Sequence, residues 1–115
     1  MAYDEALADR IRELIAGEAD VTEKKMFGGL SFLIGGNMAV AASGQGGILV
    51  RADPIESEKL VATTSATLLE MRGRRMLGWL RVGADDVKTK RQLERWVKTG
   101  TAYAESLPAK KPKKR

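Results

Sequence analysis

The chain contains no cysteine and no histidine, and these two absences exclude more chemistry than any residue present supplies. There is no thiolate nucleophile, no imidazole base for a catalytic triad, and no thiolate or imidazole metal ligand. Zero cysteines gives no sign of an oxidising compartment. Aromatic residues make up only 5% of the chain. Only Phe27, Phe32, Trp79 and Tyr103 are candidates for stacking on bases, and none is interleaved with arginine as a single-strand platform requires. No apolar run approaches the ~20 residues of a membrane-spanning helix. The N-terminus is acidic and amphipathic where a signal peptide would carry positive charge and an apolar stretch. The expectation is a cytoplasmic protein with no membrane contact, no metal, no cofactor and no catalytic residues. The paired carboxylates Asp85/Asp86 and Glu56/Glu58 read as helix caps and first-turn charges rather than acid–base groups.

What is present suits one folded domain. A chain of 115 residues, 43% hydrophobic, buries a core without staples. The net charge of +5 is confined to the end: five of the twenty basic residues are Lys110, Lys111, Lys113, Lys114 and Arg115, so residues 1–109 carry fifteen basic and fifteen acidic side chains. The sequence therefore divides into a folded part, 1–107, and a basic tail, 108–115. That tail has two prolines and no apolar residue beyond Ala109, and is expected to be disordered.

Residues 24–51 organise the rest. Apolar pieces of strand length (Met26–Phe27, Leu30–Ile34, Met38–Ala42, Ile48–Val50) alternate with glycine-rich connections, a pattern of hairpins. A phosphate cradle would need a helix N-terminus after the loop; here a strand follows each time. Before this stretch, Leu7, Ile11, Leu14 and Ile15 form the stripe of a helix over 4–16, and the polar connector EADVTE delivers the chain to Lys24. After it, Asp53-Pro54 opens a short helix with Ile55, Leu60 and Val61 for packing, ended by Thr63-Thr64-Ser65. Residues 67–71 and 76–82 read as two strands around Arg72-Gly73-Arg74-Arg75, with extension of a helix through Leu68-Leu69-Glu70-Met71 as the alternative. Asp85 or Asp86 then caps a long helix to about Leu107 with Leu93, Trp96, Val97, Gly100, Tyr103 and Leu107 on one face. The fold class is α+β: one two-layer domain, an antiparallel sheet of about five to six strands with helices mainly on one face, in the order α-β-β-β-α-β-β-α, with a fourth strand in the first block as the variant.

The segment Lys25-Met26-Phe27-Gly28-Gly29-Leu30-Ser31-Phe32, the Gly36-Asn37-Met38-Ala39 turn, the strand end Gly47–Asp53 and the Leu93-Glu94-Arg95-Trp96 helix together resemble the N-terminal domain of the TfoX family, bacterial regulators of competence. The resemblance spans roughly residues 4–107, and Lys25, Met26, Phe27, Gly28 and Gly29 are its signature. It implies a small α+β domain with a helix-backed antiparallel sheet. Full-length competence regulators carry a second, helical C-terminal domain and are thought to act with the cyclic-AMP receptor protein at promoters; this chain resembles the stand-alone members. The resemblance supplies no catalytic residues.

Function then reads as a non-enzymatic interaction or regulatory module that binds a protein partner, linked to transcription, through the signature neighbourhood (Lys24, Lys25, Met26) and a strand face including Trp79. The alternative is direct, non-specific nucleic-acid binding: Arg72, Arg74 and Arg75 at the hairpin tip, Lys88, Arg91 and Arg95 on the basic face of the last helix, and the tail residues as phosphate contacts. An unpaired sheet edge also makes a homodimer an expected arrangement.

Overall fold

The computed structural model describes residues 4–18, 20–26, 29–44 and 46–107. Four strands follow the first helix in direct succession. The elements are α1 (Glu5–Leu14), β1 (Val21–Met26), β2 (Gly29–Ile34), β3 (Asn37–Ala42), β4 (Ile48–Arg51), α2 (Pro54–Thr63), β5 (Thr67–Met71), β6 (Arg74–Val82), a 3-10 turn (Ala84–Val87) and α3 (Lys90–Ser106). All strands join one antiparallel sheet in the order β1-β2-β3-β4-β6-β5. The first block thus holds four strands rather than the three of the expected order. The expected connector EADVTE is half strand: β1 starts at Val21, and its hydrophilic sequence VTEKKM suits an edge, where charge discourages pairing with other chains.

Strand alternation divides the core in two. Leu30, Phe32, Val40, Ala42, Ile48, Val50, Leu80 and Val82 face Leu7, Ile11 and Ile15 near α1 and Leu93, Trp96, Val97 and Ala104 of α3, in one cluster. Each such buried side chain contributes about 1.5–3 kcal/mol. Met38, Ala41 and Leu49, with half-buried Leu69 and Trp79, form a second cluster that contains no helix residue. It marks the strand face opposite the helices.

Two glycines let the layers touch. A Cβ on Gly100 would stand 2.2 Å from the carbonyl oxygen of Ala39, so α3 lies directly on the backbone of β3. Gly78 has φ +87° and lies inside β6, where its N–H donates to Ser57 Oγ of α2 (3.0 Å) and its carbonyl accepts from Ala52 N–H (2.8 Å). Ser57 Oγ in turn donates to Pro54 O (2.7 Å).

Helix ends follow local chemistry, with one change of residue. Asp4 and Asp53 cap α1 and α2 through their side chains. The long C-terminal helix is not capped by Asp85 or Asp86. These lie in the 3-10 turn, Asp86 accepting from Ser65 Oγ (2.6 Å) and Asp85 beside Lys88 (3.5 Å). The cap is Thr89, in a reciprocal capping box with Gln92; a T-x-x-Q start satisfies two backbone donors where a lone aspartate satisfies one. Ile55, expected to pack, is 72% exposed, because it occupies the first turn beside Pro54 while Ser57 takes the inward position.

Candidate functional site

The register places Lys24, Ser31, Ala41, Leu49, Arg81 and Thr67 side by side across all six strands, in the face that the second cluster marks. Arg51 and Trp79 are register partners one step along. The charged strand residues of this face, Lys24, Arg51 and Arg81, are all basic. Their acidic neighbour Glu23 points the other way, where Arg12 of α1 grips it through two bonds (Nε to Oε2 2.6 Å, Nη2 to Oε1 2.8 Å) and also contacts Asp9. Hydrogen bonding from Arg12 holds the Glu23 carboxyl below its usual range, and Glu23 in return raises the Arg12 guanidinium. Alternation along β1 therefore sorts charge: the carboxylate pairs with a helix and the lysine beside it stays on the open side.

Arg51 is the distinctive member of this face. Its guanidinium lies 4.5 Å from the centroid of the Trp79 ring and 5.5 Å from that of Tyr103. Trp79 arrives by strand register. Tyr103 comes from α3, so the guanidinium lies where the strand face meets the helix layer. The two rings attract and orient the cation, and no carboxylate contacts it among the described residues. A half-buried, oriented guanidinium presents its remaining donors in a fork suited to a carboxylate or phosphate. Nearby, Ser31 is fully buried and its Oγ has no hydrogen-bond partner among the described residues.

The sequence-derived candidates fall into separate places. Lys24 and Lys25 are exposed on β1 but on opposite faces, so the signature residues do not form one patch; Met26 closes β1 against Gly29, and Phe27 and Gly28 lie outside the described residues. Trp79 is half-buried on the strand face, whereas Trp96 is core. Arg72, Arg74 and Arg75 are exposed at the start of β6, while Lys88, Arg91 and Arg95 are exposed beyond its end. A nine-residue strand spans about 30 Å at ~3.3 Å per residue, so these two basic groups lie toward opposite ends of β6. Lys88 precedes α3 rather than lying on it, and its carbonyl accepts from Arg10 (3.0 Å). Lys110, Lys111, Lys113, Lys114 and Arg115 lie outside the described residues.

Sequence reasoning missed Arg51, Tyr103 as its partner, and Ser57. The pairing of Arg51 with Tyr103 joins β4 to α3 across the fold and has no local signature. Among the described residues no group of three or more His, Cys, Asp or Glu is placed to hold a metal, and no helix is long and apolar enough to cross a membrane.

No curated protein matches the chain, and no solved structure matches it. The family model described as the TfoX N-terminal domain matches residues 13–104, from the last two residues of α1 through all six strands and nearly to the end of α3. With that match over most of its length, the chain belongs to the TfoX N-terminal domain family.

Proposed function

We propose that this domain is a non-enzymatic, cytoplasmic interaction module in transcriptional regulation, which binds a protein partner through the strand face around Arg51 and Trp79. The observation that carries the reading is the guanidinium of Arg51 beside two aromatic rings, with no carboxylate in contact among the described residues. Around it the charge is basic and the neighbouring residues are apolar, which fits a partner surface with a carboxylate set among aliphatic side chains. The absence of thiol and imidazole groups supports binding over catalysis. Nucleic-acid contact is the less favoured reading, because Arg72, Arg74 and Arg75 lie at the opposite end of β6 from Lys88, Arg91 and Arg95.

The test is affinity capture from the source cell, with and without nuclease, using the wild-type chain and Arg51→Gln. The expected result is a protein partner retained after nuclease treatment and lost with Arg51→Gln. Capture that disappears with nuclease, or that is equal for the two chains, overturns the proposal.

A further inference from the structure

The ladder between β5 and β6 is interrupted. Leu68 pairs with Leu80, yet its neighbour Leu69 pairs with Met76, so one step along β5 spans four along β6. The cause is visible on the other side: Ser57 and Ala52 bind the backbone of Gly78 and draw that segment of β6 toward α2 and β4. Along β5 lies a cavity of about 540 Å³, lined by Val61 of α2, by the consecutive β5 residues Thr67, Leu68, Leu69 and Glu70, and by Arg75 and Arg81 of β6. This volume falls within the range of ligand sites.

Three properties of the cavity point to one kind of occupant. First, among the described residues β5 is the last strand of the sheet and pairs with β6 alone, which leaves the backbone groups on its other side for a further strand, a common mode of peptide capture. Second, four consecutive β5 residues line the cavity, a length of about 13 Å at ~3.3 Å per residue, which suits an extended chain better than a compact small molecule. Third, the charge is unbalanced at one end. Glu70 stands opposite Arg75 in register, whereas Arg81 stands opposite Thr67 and has no carboxylate in contact among the described residues.

We propose that the open edge of β5 binds an extended peptide segment of a partner protein, which adds as a further strand, places aliphatic side chains against Leu68, Leu69 and Val61, and presents a carboxylate to Arg81. It rests on the reading of the domain as a protein-binding module and adds a second contact, with its chemistry, at the β5 edge beside the face that carries Arg51. Arg81 is the discriminating residue. The Thr67 end takes a carboxylate, and the Glu70 end disfavours one.

The experiment is a nitrogen-15 NMR titration of the full chain with three ten-residue peptides. One alternates valine and threonine and carries two glutamates, the second has lysine for glutamate, and the third is the acidic peptide N-methylated at alternate backbone amides. The expected result is that the acidic peptide shifts the amides of Thr67 to Glu70, that Arg81→Gln weakens it at least tenfold with the remaining spectrum unchanged, and that the lysine and N-methylated peptides fail to bind. Equal binding by the lysine peptide, indifference to N-methylation, shifts confined to other elements, or displacement of the peptide by a ten-residue oligothymidine each overturns it. So do shifts of the β5 amides with protein concentration alone, which would assign the edge to a second copy of the chain. Failure of the acidic peptide to bind while Arg51-dependent capture persists overturns this inference and leaves the proposed function standing; the reverse pattern overturns that function alone.

Discussion

Replacing Gly100 by alanine sets two effects of opposite sign against each other. Helix propensity favours the substitution by about 1 kcal/mol in a helix interior. Packing opposes it, because the new methyl would lie 2.2 Å from the Ala39 carbonyl oxygen, 2.9 Å from its carbon and 3.5 Å from its Cα. These are backbone atoms of β3, a strand flanked by β2 and β4, and they cannot swing aside as a side chain can. Relief requires α3 to lift by roughly an ångström to reach ordinary van der Waals separation, which loosens Leu93, Trp96, Val97 and Ala104 from the core they share with the sheet. Overpacking of this kind costs about 1–3 kcal/mol, and here the contact is with backbone, which puts it at the upper end. The net is a loss of about 1–2 kcal/mol, or a fall in Tm of about 4–12 °C for a domain of this size. Thermal unfolding followed by circular dichroism measures it, with Ala102→Gly on the exposed side of the same helix as the propensity control. A higher Tm for Gly100→Ala would refute the close approach of α3 to β3.

The two buried serines respond in opposite ways. Ser57→Ala strips the side-chain acceptor from the buried Gly78 N–H and costs about 1–3 kcal/mol, while Ser31→Ala removes a buried hydroxyl with no partner among the described residues and leaves stability unchanged or raises it by about 1 kcal/mol; urea unfolding of both variants checks the contrast. Acid stability depends on a carboxyl pair. Glu105 on α3 is held above its usual range, first by a hydrogen bond to Glu18, then by desolvation and by repulsion from Glu18. A raised folded value means the contribution is full below the unfolded carboxyl range and is lost as pH rises through the folded value. Glu105→Gln therefore raises Tm at pH 7 relative to wild type and narrows the difference at pH 4, measured by melts across that range. Glu23 works in the reverse sense: its lowered carboxyl stabilises above the unfolded range and releases Arg12 as pH falls through the folded value.

Periodicity made much of this architecture legible. The stripe Leu93, Trp96, Val97 and Gly100 foretells α3 because its spacing matches 3.6 residues per turn, and Asp53-Pro54 foretells the start of α2 because both residues act locally. The β5–β6 hairpin is legible in outline, as two apolar segments around an Arg–Gly turn. What escaped has long-range or competing causes. The strand character of Val21 to Glu23 is hidden in a charged edge sequence whose pairing partner, Leu33 against Thr22 for example, supplies the reason to be extended. The two aspartates before α3 obscure the Thr89–Gln92 box. The surface at Arg51 escaped because its meaning lies in Trp79 and Tyr103, brought to it by sheet register and by a helix packed on the sheet. The interruption of the β5–β6 ladder likewise originates in Ser57, a residue of another element.

The most direct measurement is the affinity of the captured partner for Arg51→Gln and Arg95→Gln, read by calorimetry. Both arginines lie over tryptophan rings, Arg51 over Trp79 at 4.5 Å on the strand face and Arg95 over Trp96 at 5.6 Å on the exposed side of α3. Loss of a charge-assisted bond of about 1.5–3 kcal/mol corresponds to about 10- to 100-fold in Kd. The strand-face account predicts that loss for Arg51→Gln and an unchanged Kd for Arg95→Gln. Weakening by Arg95→Gln with Arg51→Gln unchanged would place the partner on the helix side and contradict it.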